Sequence, residues 1–77
     1  MNKTRRKQLE VLSGKINEIR NELETIKNDE EEYRDNMPEN LQNSERYETS
    51  DSACWSMEDA LNSLDEAISF IDDAKNN

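Results

Sequence analysis

The spacing of apolar residues in the first half of the chain most constrains its fold. From Leu9 to Ile26 these residues recur at alternating steps of three and four, as the a and d positions of a heptad do. The run consists of Leu9, Leu12, Ile16, Ile19, Leu23 and Ile26. In the same register Glu30 falls at a and Tyr33 at d. The pattern predicts one long helix whose seam is interrupted once by a charge.

The only proline, Pro38, divides the chain near its centre. Because a residue before proline avoids the helical conformation, we expect helix 1 to span about 5–36, with Thr4 as its N-cap. A connection over 37–43 and an N-cap at Ser44 then lead into helix 2, over about 44–75. The polar run at 49–52 leaves a later start of helix 2 open.

The second half repeats the heptad pattern from Cys54 to Ile71. Beside its seam, at position g, lies a column of small residues: Ala53, Ala60, Ala67 and Ala74. This column either allows close helix packing or reflects helix propensity alone. Two long helices and a short connection predict an all-α fold: a single domain over 1–77, built as an antiparallel two-helix coiled-coil hairpin.

Two helices bury only one seam, and chains this short usually need further association. Trp55 and Phe70 lie off the seam of helix 2, which indicates a second apolar contact surface. We therefore expect a homodimer that forms a four-helix bundle, or a hairpin that docks on a partner through these residues. A mean hydropathy of −1.25 keeps a partly disordered monomer as the alternative.

Nineteen acidic and ten basic residues give a net charge of −9, which disfavours direct nucleic-acid binding. The chain has no apolar run long enough to span a membrane and no secretory stretch near Met1, so we expect a cytoplasmic protein. With no histidine and one glycine, we predict no enzyme activity, no catalytic residue, no metal site and no cofactor. Cys54 is interpreted as a small buried hydrophobe.

Charge is distributed unevenly along the chain. The basic cluster Lys3, Arg5, Arg6 and Lys7 opens helix 1, and an antiparallel hairpin predicts that it pairs with Asp72 and Asp73; a phosphate-binding arm is the alternative. Acidic residues concentrate around the connection. This acidic tip comprises Asp29, Glu30, Glu31, Glu32, Asp35, Glu39, Glu45 and Glu48. It is either a binding surface or a solubilising charged end.

Acidic pairs also recur every seven residues on helix 2, about 10.5 Å apart along its axis. This acidic ladder comprises Glu58, Asp59, Asp65, Glu66, Asp72 and Asp73. At positions e and f, the pairs are expected to share one outward face. A regular row of negative charge is either an ordinary solvated stripe or an imitation of DNA phosphates.

The connection, from Asn36 to Gln42 followed by Ser44 to Tyr47, resembles that of small acidic helical-hairpin proteins of Gram-positive prophages and integrative elements. The basic opening and the acidic second helix fit the same resemblance. It implies a mobile-element origin and a role like that of phage anti-CRISPR or anti-restriction inhibitors. On this basis we expect a protein that blocks a basic nucleic-acid-binding host protein with a DNA-like surface. The alternative is a non-catalytic coiled-coil adaptor that binds through its seam.

Overall fold

The computed structural model describes all 77 residues as two long helices in contact, with no strand. Helix α1 spans Lys3–Asp35 and helix α2 spans Glu45–Asn76, with one 3₁₀ turn at Glu39–Leu41 between them. The helices run antiparallel, and the hairpin is a rod whose Cα atoms extend 59 Å along its axis. The fold is therefore the all-helical hairpin that the two heptad runs predict.

Both helices begin at a side-chain cap. The Asn2 carboxamide accepts a hydrogen bond from the Arg5 N–H at 2.8 Å, so the expected cap at Thr4 is wrong and Thr4 lies within α1. Ser44 caps α2 by accepting from the Tyr47 N–H at 3.2 Å. With this cap in place, α2 begins at Glu45 and the polar run at 49–52 is helical.

The core is small and lies near the connection and the middle of α2. Only four of the 77 residues are buried: the apolar Met37, Cys54 and Leu61, and the polar Ser50. The a positions of α1, from Leu9 to Leu23, are only half-buried against α2. With so few buried side chains, several large apolar residues, Ile19 and Ile26 among them, remain exposed.

Helix α1 does not use the whole of its predicted seam. Its a positions face α2, but the d positions Leu12, Ile19, Ile26 and Tyr33 are exposed. In their place α1 turns its e positions toward α2: Ser13, Arg20, Lys27 and Arg34. The expectation of a seam built from both a and d is thus wrong for α1. The e positions of α2 are acidic, so this rotation brings Arg20, Lys27 and Arg34 into ion pairs with α2.

Candidate protein-binding surfaces

The four exposed d positions of α1 form a continuous line of large apolar side chains, which we call the apolar stripe. Leu12, Ile19, Ile26 and Tyr33 expose between 48% and 58% of their surface. Successive members lie seven residues apart, so the stripe runs about 32 Å along the helix. A row of this length on one side of a rod differs from the singly scattered apolar residues of ordinary surfaces.

The alanine column of α2 lies on the same side of the hairpin as the apolar stripe. At the end near the connection, Tyr33 and Ala53 line one shallow groove together with Arg46 and Ser50. Ala60, one heptad further along, is exposed, and Ala67 is half-buried. The stripe and the column therefore form one broad face, in which large side chains lie beside small ones.

The opposite edge of the hairpin is held by ion pairs between e positions. Arg34 contacts Asp51 at 3.0 Å, and one heptad away the Lys27 ammonium contacts Glu58 at 2.9 Å. Arg20 and Asp65 form the third such pair, at 2.6 Å. The fourth contact is a hydrogen bond and not an ion pair: the Ser13 hydroxyl donates to the Asp72 carboxylate at 3.4 Å. Four contacts with heptad spacing fix the register of the two helices.

These ion pairs shift the pKa values of the cations. Hydrogen bonding to Glu58, and then to Glu31, raises the pKa of Lys27 above its usual value. Asp65 and then Glu24 raise the pKa of Arg20 in the same way. The pairs lie at the surface, where the energy of each is modest, so their main effect is to select one register.

The acidic ladder is divided between two surroundings. Its e members, Glu58, Asp65 and Asp72, contact α1, so the expectation that all six side chains share an outward face is wrong. The reason is that the e positions of both helices meet at the ion-pair edge. The f members remain exposed and form no salt bridge: Asp59, Glu66 and Asp73. Half of the ladder is therefore available to a partner.

The acidic tip is divided in a similar way. Glu31 binds Lys27 at 3.0 Å, and Asp35 binds Arg34 at 2.9 Å. The carboxylate of Glu30 accepts a hydrogen bond from the buried Ser50. The other five carboxylates are exposed and form no salt bridge: Asp29, Glu32, Glu39, Glu45 and Glu48. The unneutralised charge of the tip resides in these five.

The basic cluster at the start of α1 forms no salt bridge with the end of α2. The predicted pairing with Asp72 and Asp73 is therefore wrong. Its one salt bridge joins Lys7 to Glu10 at 3.9 Å, within α1. Asp72 instead accepts from Ser13 and lies 4.0 Å from Lys75. The register set by the ion pairs brings Asp72 opposite Ser13, so the part of α2 that shares a groove with Lys3 is its last turn, with Lys75 and Asn76.

Trp55 and Phe70 are the two most exposed large apolar residues, at 65% and 69%. Trp55 lines a small groove at the ion-pair edge with Arg34 and Cys54. Phe70 lies fifteen residues further along α2, about 22 Å away along the axis. They do not form one patch: Trp55 lies at the ion-pair edge, whereas Phe70 is three residues from Ala67 and four from Ala74 and so lies beside the alanine column.

The structure offers little to support chemistry. Cys54 is buried, and desolvation raises the pKa of its thiol, which disfavours the nucleophilic thiolate. No three side chains of the metal-ligating types come together in a group. The grooves are open and lie on the surface.

Comparison with known proteins adds no further identification. No protein-family model, no curated protein and no solved structure matches this chain. Neither helix combines the length with the apolar character that crossing a bilayer would require. What the fold and its surfaces define is a helical hairpin with one exposed apolar face and one acidic end.

The heptad pattern alone does not predict the apolar stripe, because it assigns those four residues to the seam between the helices. A signal was present in the sequence. Basic residues at the e positions of helix 1, such as Arg20, have acidic counterparts at the e positions of helix 2, such as Asp65. Matching the charges of the two heptads would have indicated which side of helix 1 faces inward.

Proposed function

We propose that this chain is a protein-binding module that acts by helix–helix packing through the apolar stripe. The observation that carries the proposal is the alignment of Leu12, Ile19, Ile26 and Tyr33, each about half exposed, along one side of α1. Burial of apolar surface stabilises an association by about 25 cal/mol for each Å² removed from water. A hairpin with four buried residues has more to gain from such burial than a protein with a large core.

The mode of binding follows from the spacing of the stripe. Side chains seven residues apart repeat one heptad position along a helix, and such a row can pack as knobs into the holes of a helical partner. The alanine column beside this row lets the backbone of a neighbouring helix approach closely. Assembly into a four-helix bundle is one form of this association, and it would supply the core that a single hairpin lacks.

Affinity capture of proteins from a cell lysate, with matched baits, tests the proposal. The wild-type chain is compared with an Ile19→Lys/Ile26→Lys double variant, which places two charges in the stripe. The control is Trp55→Lys, which changes a similarly exposed apolar residue at the ion-pair edge. We expect protein capture to persist at about 0.5 M salt, to be lost in the stripe variant and to be retained by the control. Capture by the stripe variant at wild-type level would overturn the proposal.

A second candidate function is inhibition of a basic nucleic-acid-binding host protein, as anti-CRISPR or anti-restriction proteins act. It is favoured by the five carboxylates of the acidic tip that no cation neutralises. Concentrated negative charge is steered toward a positively charged nucleic-acid channel and can occupy it. The exposed f members of the acidic ladder would extend that surface along α2.

Single charge reversals separate this candidate from the first. Glu32→Lys changes an exposed carboxylate of the tip, and Glu18→Lys makes the same charge change in the middle of α1. If the tip binds, Glu32→Lys weakens binding much more than Glu18→Lys, and added duplex DNA competes. Equal effects of the two reversals, or binding that is insensitive to salt, would exclude this function.

A further inference from the structure

We infer that the apolar stripe is covered by a second copy of this chain, with the two α1 helices packed antiparallel. This inference rests on the proposed function and names its partner. The partner is identified by three properties of α1: the way charge is divided along it, the unpaired charges at its two ends, and the size of the face that carries the stripe.

Charge divides α1 into two halves of opposite sign. Residues 1–22 carry six bases and three acids, a net charge of +3, and residues 23–36 carry two bases and six acids, a net charge of −4. Two such helices laid antiparallel bring each positive half onto the negative half of the other copy. Laid parallel, they would bring like charges together at both ends. Electrostatic complementarity therefore selects the antiparallel arrangement.

Both ends of α1 carry charges that have no partner within the hairpin. Lys3, Arg5 and Arg6 form no salt bridge, and neither do Asp29 and Glu32. In the middle of α1, Arg20 and Lys27 form ion pairs with α2. A second, antiparallel copy supplies cations to the acidic end and anions to the basic end. A single hairpin leaves both ends uncompensated.

The stripe is symmetric enough for a two-fold contact. In an antiparallel pair centred on the stripe, Leu12 lies opposite Tyr33 of the partner subunit, and Ile19 lies opposite Ile26 of the partner subunit. The alanine columns of the two α2 helices then face each other across the same interface. Cα extents of 59 by 15 Å make the broad face large enough for the roughly 800 Å² per partner of a standard interface.

Sedimentation equilibrium over about 1–100 µM tests the inference. We expect a wild-type dimer, a Trp55→Lys dimer, and at least a tenfold loss of affinity in Ile19→Lys/Ile26→Lys, with circular dichroism reporting the helicity of each. A wild-type monomer at 100 µM, or a dimer that the stripe variant leaves intact, overturns the inference. If a monomer still captures protein through its stripe, the proposed function stands while the inference fails.

The salt dependence of the dimer and disulfide cross-linking test whether the two α1 helices pack antiparallel. Because the antiparallel pair joins opposite charges, raising salt from about 0.05 to 0.5 M should weaken the dimer about threefold or more; a parallel pair would tighten. In a Cys54→Ser background, Leu12→Cys and Tyr33→Cys variants are mixed and oxidised. A mixed disulfide between the two variants is the expected product. Disulfides only between identical variants would show a parallel dimer and overturn the inference.

Discussion

The Ser50 hydroxyl of α2 donates a hydrogen bond to the Glu30 carboxylate of α1, at the end of the hairpin near the connection. Both residues occupy seam positions in which a coiled coil normally has apolar side chains. Ser50 is buried, with 4% of its surface exposed, and Glu30 is half-buried. The charge that interrupts the heptad pattern of α1 is thus part of the helix contact and belongs only partly to the acidic surface.

Replacing Ser50 with alanine should destabilise the hairpin by about 1–3 kcal/mol, because the half-buried Glu30 carboxylate loses its donor. In the Ser50→Ala/Glu30→Leu double variant most of that loss should be recovered, since both positions then become apolar. Urea unfolding followed by circular dichroism measures both. A Ser50→Ala protein as stable as wild type would show that the hydrogen bond contributes nothing.

Gly14 lies in the middle of α1 at an exposed position, where an added Cβ would meet no atom within 4 Å. Gly14→Ala should therefore stabilise the protein by about 1 kcal/mol through helix propensity alone. Thermal unfolding would show a raised midpoint. Ser56→Gly, the opposite change at an exposed position in α2, should lower the midpoint and serves as the control. A lowered midpoint in Gly14→Ala would contradict the open space around this residue.

The hairpin should lose stability in alkali, where the Lys27 ammonium loses its proton. Its pKa is raised above the usual 10.5, chiefly by the hydrogen bond to Glu58 and then by that to Glu31. The stabilisation is therefore complete below about pH 10.5 and is lost as the pH rises through the raised pKa. Urea midpoints at about pH 9 and pH 11.5 would measure the loss.

Lys27→Arg is the matched control, because a guanidinium stays charged throughout this range. The fall in urea midpoint between the two pH values should be smaller in this variant than in wild type. Equal falls in the two proteins would assign the alkaline loss to other groups.

Cys54 should react slowly with thiol reagents while the hairpin is folded. Its side chain is buried, and desolvation raises the pKa of the thiol, so little thiolate is present at pH 8. We expect reaction with a disulfide reagent to accelerate at least tenfold on denaturation. Cys54→Ala/Ser56→Cys moves the thiol to an exposed position on the same helix and should react rapidly in the folded state. Fast labelling of native Cys54 would show that the core opens readily.

Sequence patterns were sufficient for the secondary structure and the topology. Heptad spacing specified two helices, Pro38 specified the break between them, and the short connection required an antiparallel pair. Ser44 was identifiable as a cap because a hydroxyl before a helical run satisfies a free N–H. The buried position of Cys54 followed from its place in the seam. These features depend on neighbours within a few residues along the chain.

The availability of each surface was decided by the tertiary structure. A heptad shows which residues are apolar, but a helix can turn either flank of its a positions toward a neighbour. Contacts such as that of Lys27 with Glu58 turned the e flank of α1 inward and left Ile26 and the rest of the apolar stripe in solvent. The same rotation drew half of the acidic ladder into ion pairs. Sequence thus determined the helices, and charge pairing between them determined which faces remain free to bind.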